Sequence, residues 1–135
     1  MTDNAPERGY LLDTHMALWA LERPESLSAV ARKAANEGLN FLSVVSYWEV
    51  VIKTMKGKLD VGDPRLWWQE ALEQLAATPV LLRPDHVAAV NGLPQIHKDP
   101  FDRIMIAQAM VERLALVTRD SEIARYAAPG FRVVV

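Results

Sequence analysis

The chain of 135 residues contains no cysteine, which excludes disulfide bonds and thiolate metal sites. It also lacks long hydrophobic runs, since no apolar stretch approaches the roughly 20 residues that a membrane helix needs. The segment from Met1 to Arg8 is polar and has no apolar signal-peptide core, so the cytoplasm is the expected compartment. The net charge of −2 provides no overall positive field, so a nucleic-acid partner would have to meet a local basic patch.

What the chain does contain is typical of a globular protein. Half of its residues are hydrophobic (50%) and 24% are charged, and its length is sufficient to bury a proper core. We predict that residues 1–8 form a disordered N-terminus and that residues 9–135 form a single domain.

Short apolar runs alternate with amphipathic segments along this predicted domain. The predicted strands span residues 9–13, 39–43, 80–82, 114–118 and 131–135. The predicted helices span residues 15–21, 26 or 28 to 37, 44–57, 64–77, 85–92, 100–113 and 120–127. In the third helix Val45, Trp48, Ile52 and Met55 would form the apolar face. Strands that alternate with helices predict an α/β fold with a parallel sheet covered on both faces.

Four acidic residues occupy similar places in this pattern. Asp13 and Asp120 each follow an apolar strand, whereas Glu49 and Asp102 lie near the start of a helix. Because the carboxyl ends of parallel strands meet at one edge of a sheet, all four can converge on one pocket. Carboxylates brought together repel, and the natural cation for a set of oxygen ligands is Mg²⁺, or Mn²⁺ in its place. Such ions assist phosphodiester cleavage by activating water.

Each acid also has a structural interpretation. Asp13 and Asp120 are suited to capping the helices that follow them, and Glu49 can pair with Lys53 one helical turn later. Asp99, followed by proline at the first helical position, is interpreted as an N-cap.

The three histidines, His15, His86 and His97, do not form a metal set, because none is paired at helical spacing with another. His15 is close enough to Asp13 to enter the site, but we interpret it as a partly buried structural histidine.

Four short motifs occur in order: Leu11-Leu12-Asp13-Thr14-His15, Ser46-Tyr47-Trp48-Glu49-Val50, Asp99-Pro100-Phe101-Asp102-Arg103 followed by Ala107-Gln108-Ala109, and Leu116-Val117-Thr118-Arg119-Asp120. In this order and spacing they resemble the PIN-domain family, specifically the VapC-type toxin ribonucleases of type II (VapBC) toxin–antitoxin systems. The resemblance runs from Tyr10 to the C-terminal strand. It implies a three-layer α/β/α sandwich around a mostly parallel sheet, and a catalytic, metal-binding quartet of Asp13, Glu49, Asp102 and Asp120.

The resemblance also implies a function, which is Mg²⁺-dependent endoribonuclease activity with Mn²⁺ as a possible substitute. The expected partners are RNA, a cognate antitoxin and a second copy of the chain in a homodimer. The residues expected to line the pocket are Thr14, Ser46, Asp99 and Thr118, and those expected to bind RNA are Arg103, Arg119, Lys53 and Lys56. The candidate antitoxin contacts are Trp19, Trp67 and Trp68, of which one member of the adjacent pair is expected in the core.

Three other classes of protein fit the acids less well. A phosphoryl-accepting receiver domain would have an acidic pair after its first strand, where Asp13 stands alone. A haloacid-dehalogenase-type hydrolase would have a second acid at position 15, which is histidine. The remaining alternative is a non-catalytic α/β module that keeps the acids as a metal or partner site.

Overall fold

The computed structural model describes residues 7–135 of the chain, so residues 1–6 of the predicted disordered segment lie outside it. Glu7 and Arg8, the last two residues of that segment, form ion pairs with Arg132 and Glu112 respectively. No helix within the described residues is both long enough and apolar enough to cross a membrane.

The elements alternate between strands and helices, with one additional 3₁₀ helix at Pro24–Ser26. The strands are β1 (Gly9–Leu12), β2 (Asn40–Ser43), β3 (Ala77–Val80), β4 (Leu114–Val117) and β5 (Val133–Val134). The helices are α1 (Thr14–Glu22), α2 (Ala29–Glu37), α3 (Val44–Met55), α4 (Pro64–Gln74), α5 (Pro84–Val90), α6 (Pro100–Glu112) and α7 (Ser121–Ala124).

The five strands form one parallel sheet in the order β3-β2-β1-β4-β5. The two faces of the central strand serve different layers of the fold. Leu11 packs in a cluster with residues of α6 and α7, including Ile106 and Ile123. Leu12 lies on the opposite face, in a cluster with Met16 of α1 and residues of α2. The predicted α/β/α sandwich with a parallel sheet is therefore confirmed.

The third strand differs from its prediction. It was expected at residues 80–82, but β3 spans Ala77–Val80, and Leu81 and Leu82 are exposed. β3 is an edge strand, where Pro79 is tolerated because one side of the strand needs no ladder hydrogen bond. Leu81 and Leu82 belong to the connection between β3 and α5, so the apolar run at residues 80–82 did not indicate the position of the strand.

The orientation of α3 also differs from its prediction. Trp48 and Met55, expected on the buried face, are 56% and 81% exposed. The buried side of α3 instead carries Val45, Ser46, Glu49 and Val50. The helix is thus rotated by about one residue, or roughly 100°, relative to the apolar pattern. This rotation turns two polar side chains, Ser46 and Glu49, towards the interior.

Candidate acidic active site

The predicted acidic quartet meets at the carboxyl edge of the sheet. Asp13 follows β1, Asp120 lies just beyond β4, Glu49 lies in α3 and Asp102 in the first turn of α6. All four line one cavity of about 310 Å³. The other residues that line this cavity are His15, Trp19, Lys53, Asp99, Arg119 and Ile123.

Asp13 is held at the base of the cavity and is only 7% exposed. Its Oδ1 accepts a hydrogen bond of 2.9 Å from the backbone N–H of Met16, so Asp13 does cap α1 as its structural interpretation predicted. Burial raises the pKa of the Asp13 carboxyl above its ordinary value, against hydrogen bonds from Thr118 and Met16 that lower it. Capping and a place in the acidic cavity are therefore compatible for this residue.

Glu49 has the pairing that its spacing predicted, but in a different environment. Lys53 Nζ lies 2.8 Å from Glu49 Oε2, and the Thr14 hydroxyl donates to Oε1 over 2.7 Å. Glu49 is only 4% exposed, so this is a buried carboxylate and not one half of a solvated surface pair. The Thr14 and Ser46 hydroxyl oxygens lie 2.9 Å apart, which places Ser46 behind the same carboxylate.

Asp102 lies beside Asp99, whose carboxylate caps α6. Asp99 Oδ1 accepts hydrogen bonds from the N–H groups of Phe101 (2.8 Å) and Asp102 (3.4 Å), as the N-cap interpretation predicted. Burial raises the pKa of the Asp102 carboxyl to about 7, with a further contribution from the negative charge of Asp99 and an opposing one from His97. Asp102 therefore gives up its proton far less readily than an ordinary aspartate.

His97 belongs to the site, and the sequence interpretation missed it. Its Nε2 lies 3.2 Å from Asp102 Oδ2 and 3.1 Å from Asp120 Oδ2. The three side chains offer ligand atoms within 4.8 Å of one another. The spacing between the three histidines does not indicate this role. The informative feature of the sequence is that a histidine lies five residues before Asp102.

The hydrogen bonds of His97 indicate how its imidazole is used. Its Nδ1 accepts the backbone N–H of Asp99 over 3.1 Å, so this nitrogen carries no proton. The proton of the neutral ring must then be on Nε2, which donates to Asp120 Oδ2 and has no free lone pair for a metal. We conclude that His97 holds Asp120 as a donor, with Asp102 Oδ2 3.2 Å from the same nitrogen, and does not serve as a metal ligand in this geometry.

His15 differs from its prediction as a partly buried structural histidine. It is exposed and lines the cavity, with its ring edge-on to Trp19 at a centroid distance of 5.8 Å. Residue 15 is the second residue of α1, and its neighbours Thr14 and Met16 are buried.

The predicted pocket-lining residues divide into two groups. Asp99 lines the open cavity, whereas the hydroxyls of Thr14, Ser46 and Thr118 are buried behind the acids. Thr118 hydrogen-bonds to Asp13 and also accepts the backbone N–H of Asp120 over 3.1 Å. These hydroxyls therefore orient the carboxylates from behind.

The predicted RNA-binding residues also divide. Lys53 and Arg119 line the cavity. Within residues 7–135, Arg103 and Lys56 lie outside it: Arg103 donates to the carbonyl oxygens of Pro94 (3.0 Å) and His97 (3.3 Å), and Lys56 is exposed at the end of α3. Arg103 thus fixes the loop that carries His97.

The donor set fits a hard divalent cation. Five carboxylates, those of the quartet and of Asp99, share one cavity that only Lys53 and Arg119, among its described lining residues, enter with a permanent positive charge. Burial, with a smaller contribution from neighbouring carboxylates, raises the pKa of both Asp13 and Asp102, so the ionisation of these two carboxyls is opposed. Asp102 and Asp120 offer carboxylate oxygens within 4.8 Å of each other, Asp13 lines the same cavity, and Glu49 is paired with Lys53.

The parallel α/β/α sandwich and the carboxylate cluster at the carboxyl edge of its central strands place this protein in the class of α/β proteins with an acidic site. Residues 10–129 match the PIN domain, and the chain belongs to that family. It is 28% identical over 121 residues to Ribonuclease VapC22 of Mycobacterium tuberculosis (strain ATCC 25618 / H37Rv), covering 88% of this chain and 92% of the relative. The predicted family resemblance is confirmed.

Solved structures share the fold at low sequence identity. One is VapBC2 from Rickettsia felis bound to a DNA fragment from its promoter, with a TM-score of 0.62, 16% identity and coverage of 92% of this chain and 96% of that one. Another is a toxin–antitoxin complex from Klebsiella pneumoniae, with a TM-score of 0.58, 22% identity and coverage of 91% and 95%.

Proposed function

We propose that this protein is a metal-dependent endoribonuclease that acts as the toxin of a toxin–antitoxin pair, with Mg²⁺ as its metal and Mn²⁺ as a possible substitute. The observation that carries the proposal is the meeting of Asp13, Glu49, Asp102 and Asp120 in one cavity of a PIN-domain chain. The relative named as a ribonuclease, and structural neighbours that are toxin–antitoxin complexes, support it.

The roles of the acids follow from their surroundings. Asp13 and Asp102 are the main metal ligands, and Asp120 completes the set. The bound ion supplies activation of water and stabilisation of the phosphoryl charge. Glu49, held by Thr14 and Lys53, keeps one carboxylate oriented to position the attacking water and accept its proton. His97 keeps Asp102 and Asp120 at a fixed separation.

Substrate binding needs cations near the cavity, because its acids repel a phosphate backbone. Arg119 is the strongest candidate for a direct phosphate contact, and Lys53 adds positive charge while it is paired with Glu49. Arg103 and Lys56 lie outside the cavity. Arg103 is better placed to stabilise the fold, and Lys56 to contact parts of the RNA that are distant from the cleaved phosphate.

The test is cleavage of a single-stranded RNA pool by the purified full chain, in Mg²⁺, in Mn²⁺ and in a chelator. We expect metal-dependent cleavage that Asp13→Asn and Glu49→Gln both reduce by at least about a hundredfold. Glu73→Gln, a change of the same chemistry at an exposed position of α4, is the control and should cleave normally. Metal binding without cleavage by the wild type would instead favour the non-catalytic acidic module.

Partners follow from the same proposal. We expect a cognate antitoxin to cover the cavity and a second copy of the chain to form a homodimer. Of the proposed antitoxin contacts, Trp67 is buried, whereas Trp68 is only partly buried and stacks on Tyr47 at 5.1 Å. Trp68 is therefore the better candidate of the two, in line with the angle of about 100° between adjacent side chains on a helix. Light scattering of the isolated chain tests the homodimer.

A further inference from the structure

Three flat side chains meet at one side of the acidic cavity. The Arg119 guanidinium lies over the ring of Trp19, with its Cζ 4.2 Å from the ring centroid. His15 meets the same ring edge-on, with an interplanar angle of 65°. All three line the cavity that contains the acids. We refer to His15, Trp19 and Arg119 together as the rim platform.

The rim platform is accessible. His15 and Arg119 are exposed and Trp19 is partly buried. Within residues 7–135 the guanidinium of Arg119 has no carboxylate or carbonyl partner, in contrast to Arg103, which donates to several carbonyl oxygens. The Arg119 guanidinium contacts the Trp19 ring and keeps its N–H donors available.

Charge separates the two parts of the cavity. The acidic part repels phosphate unless a cation is present, whereas the rim platform contributes a positive charge and aromatic surface. Single-stranded RNA is bound by stacking its bases on aromatic rings or on guanidinium planes, and a flipped or unpaired base needs such a surface beside the reactive phosphate.

We propose that the rim platform stacks a nucleobase of single-stranded RNA next to the phosphodiester that is cleaved. Trp19 supports Arg119, the guanidinium carries the base or the flanking phosphate, and His15 closes the edge of the platform. The proposal rests on the ribonuclease function and specifies how its substrate is positioned. Double-stranded RNA, whose bases are already stacked on one another, is not expected to use the platform.

The experiment measures binding of a fluorescent single-stranded RNA of about ten nucleotides to the full chain in Mg²⁺, with Glu49→Gln in every protein to prevent cleavage. Trp19→Leu should weaken binding by about ten- to a hundredfold, and Trp19→Phe, which keeps an aromatic face, by less than about threefold. Trp68→Leu removes a tryptophan of similar burial outside the cavity and should bind normally. Melting temperatures establish that each variant is folded.

A second measurement tests the base directly. The same RNA is prepared with a single abasic nucleotide moved along the strand. In the protein that contains Trp19, an abasic nucleotide at one particular position should weaken binding. In the Trp19→Leu protein, an abasic nucleotide at the same position should have no effect on binding. Trp19→Leu should also leave the slope of affinity against salt unchanged, whereas Arg119→Gln should reduce it by about one phosphate contact.

The outcomes are distinct. If the wild-type protein cleaves RNA but Trp19→Leu leaves binding unchanged in the Glu49→Gln background, the rim platform is not a base site, and the ribonuclease proposal stands without it. Equal effects of every abasic position on both proteins would overturn the platform in the same way. If no RNA is bound or cleaved by the wild type in either metal, the ribonuclease proposal fails, and the platform fails with it.

Discussion

The pKa of Asp102 predicts a specific dependence of stability on pH in the metal-free protein. The pKa of this carboxyl rises from 3.8 in the unfolded chain to about 7 in the fold, chiefly because of burial. Between these two values the folded state binds a proton that the unfolded state has released. The free energy of unfolding must therefore decrease as pH rises from about 4 to about 7.

The size of the effect is set by the shift. A change from 3.8 to about 7 corresponds to at most about 4 kcal/mol. The side chain is 19% exposed and therefore partly solvated, so we expect a smaller loss, about 2–3 kcal/mol. Asp102→Asn keeps the shape but cannot ionise, so this mutant should lack that part of the pH dependence and be more stable than wild type at pH 8.

The assay is urea unfolding of both proteins in chelator at pH 5 and at pH 8. For each protein we take the change in the free energy of unfolding between the two pH values. The difference between wild type and Asp102→Asn in this change cancels the contribution of groups that titrate alike in both proteins. Equal changes in wild type and Asp102→Asn would refute the reasoning. Adding Mg²⁺ at pH 8 should restore stability to the wild type more than to the mutant, because the ion offsets the same charge.

Three further predictions concern groups whose partners are known. Lys53→Met should lower the free energy of unfolding by about 1–3 kcal/mol, because it leaves Glu49 buried without its cation, whereas Glu49→Gln should lower it less. Equal losses of the two mutants in urea unfolding would contradict this difference. Asp99→Ala should cost about 0.5–2 kcal/mol through loss of the α6 cap and should also lower the pKa of Asp102, which NMR titration would show. His86 and Arg8 lower the pKa of Glu112, so the contribution of this carboxylate to stability is present above pH 4.5 and is lost as pH falls. Glu112→Gln should lose less stability than wild type on acidification, and an acid unfolding transition identical to that of wild type would refute this prediction.

The parts of the fold that the sequence predicted are those where the hydrophobic pattern and the local signals agree. β1 and β4 are buried on both faces and lie close to their predicted positions, and Asp99 caps α6 with proline at the first helical position. The placement of the acids at one edge followed from the parallel topology alone. It required no knowledge of side-chain contacts.

The errors arise where burial and hydrophobicity diverge. In α3 the apolar residues Trp48 and Met55 face solvent, while Ser46 and Glu49 are buried because they serve the acidic cavity. A pattern that assigns polar residues to the surface cannot detect a polar interior. The role of His97 was missed for a related reason, since its partners Asp102 and Asp120 come from different elements and no spacing along the chain relates all three.

The pairing of β1 with β4 has a consequence for the order in which the protein is synthesised. The backbone N–H of Asp13 donates to Val117 at 3.0 Å, so the first acid is fixed against a strand near the other end of the chain. A chain synthesised as far as the end of α6 contains three of the four acids but still lacks β4, the strand that anchors Asp13 and leads to Asp120. The growing chain therefore has no assembled cavity until β4 is available to pair with β1.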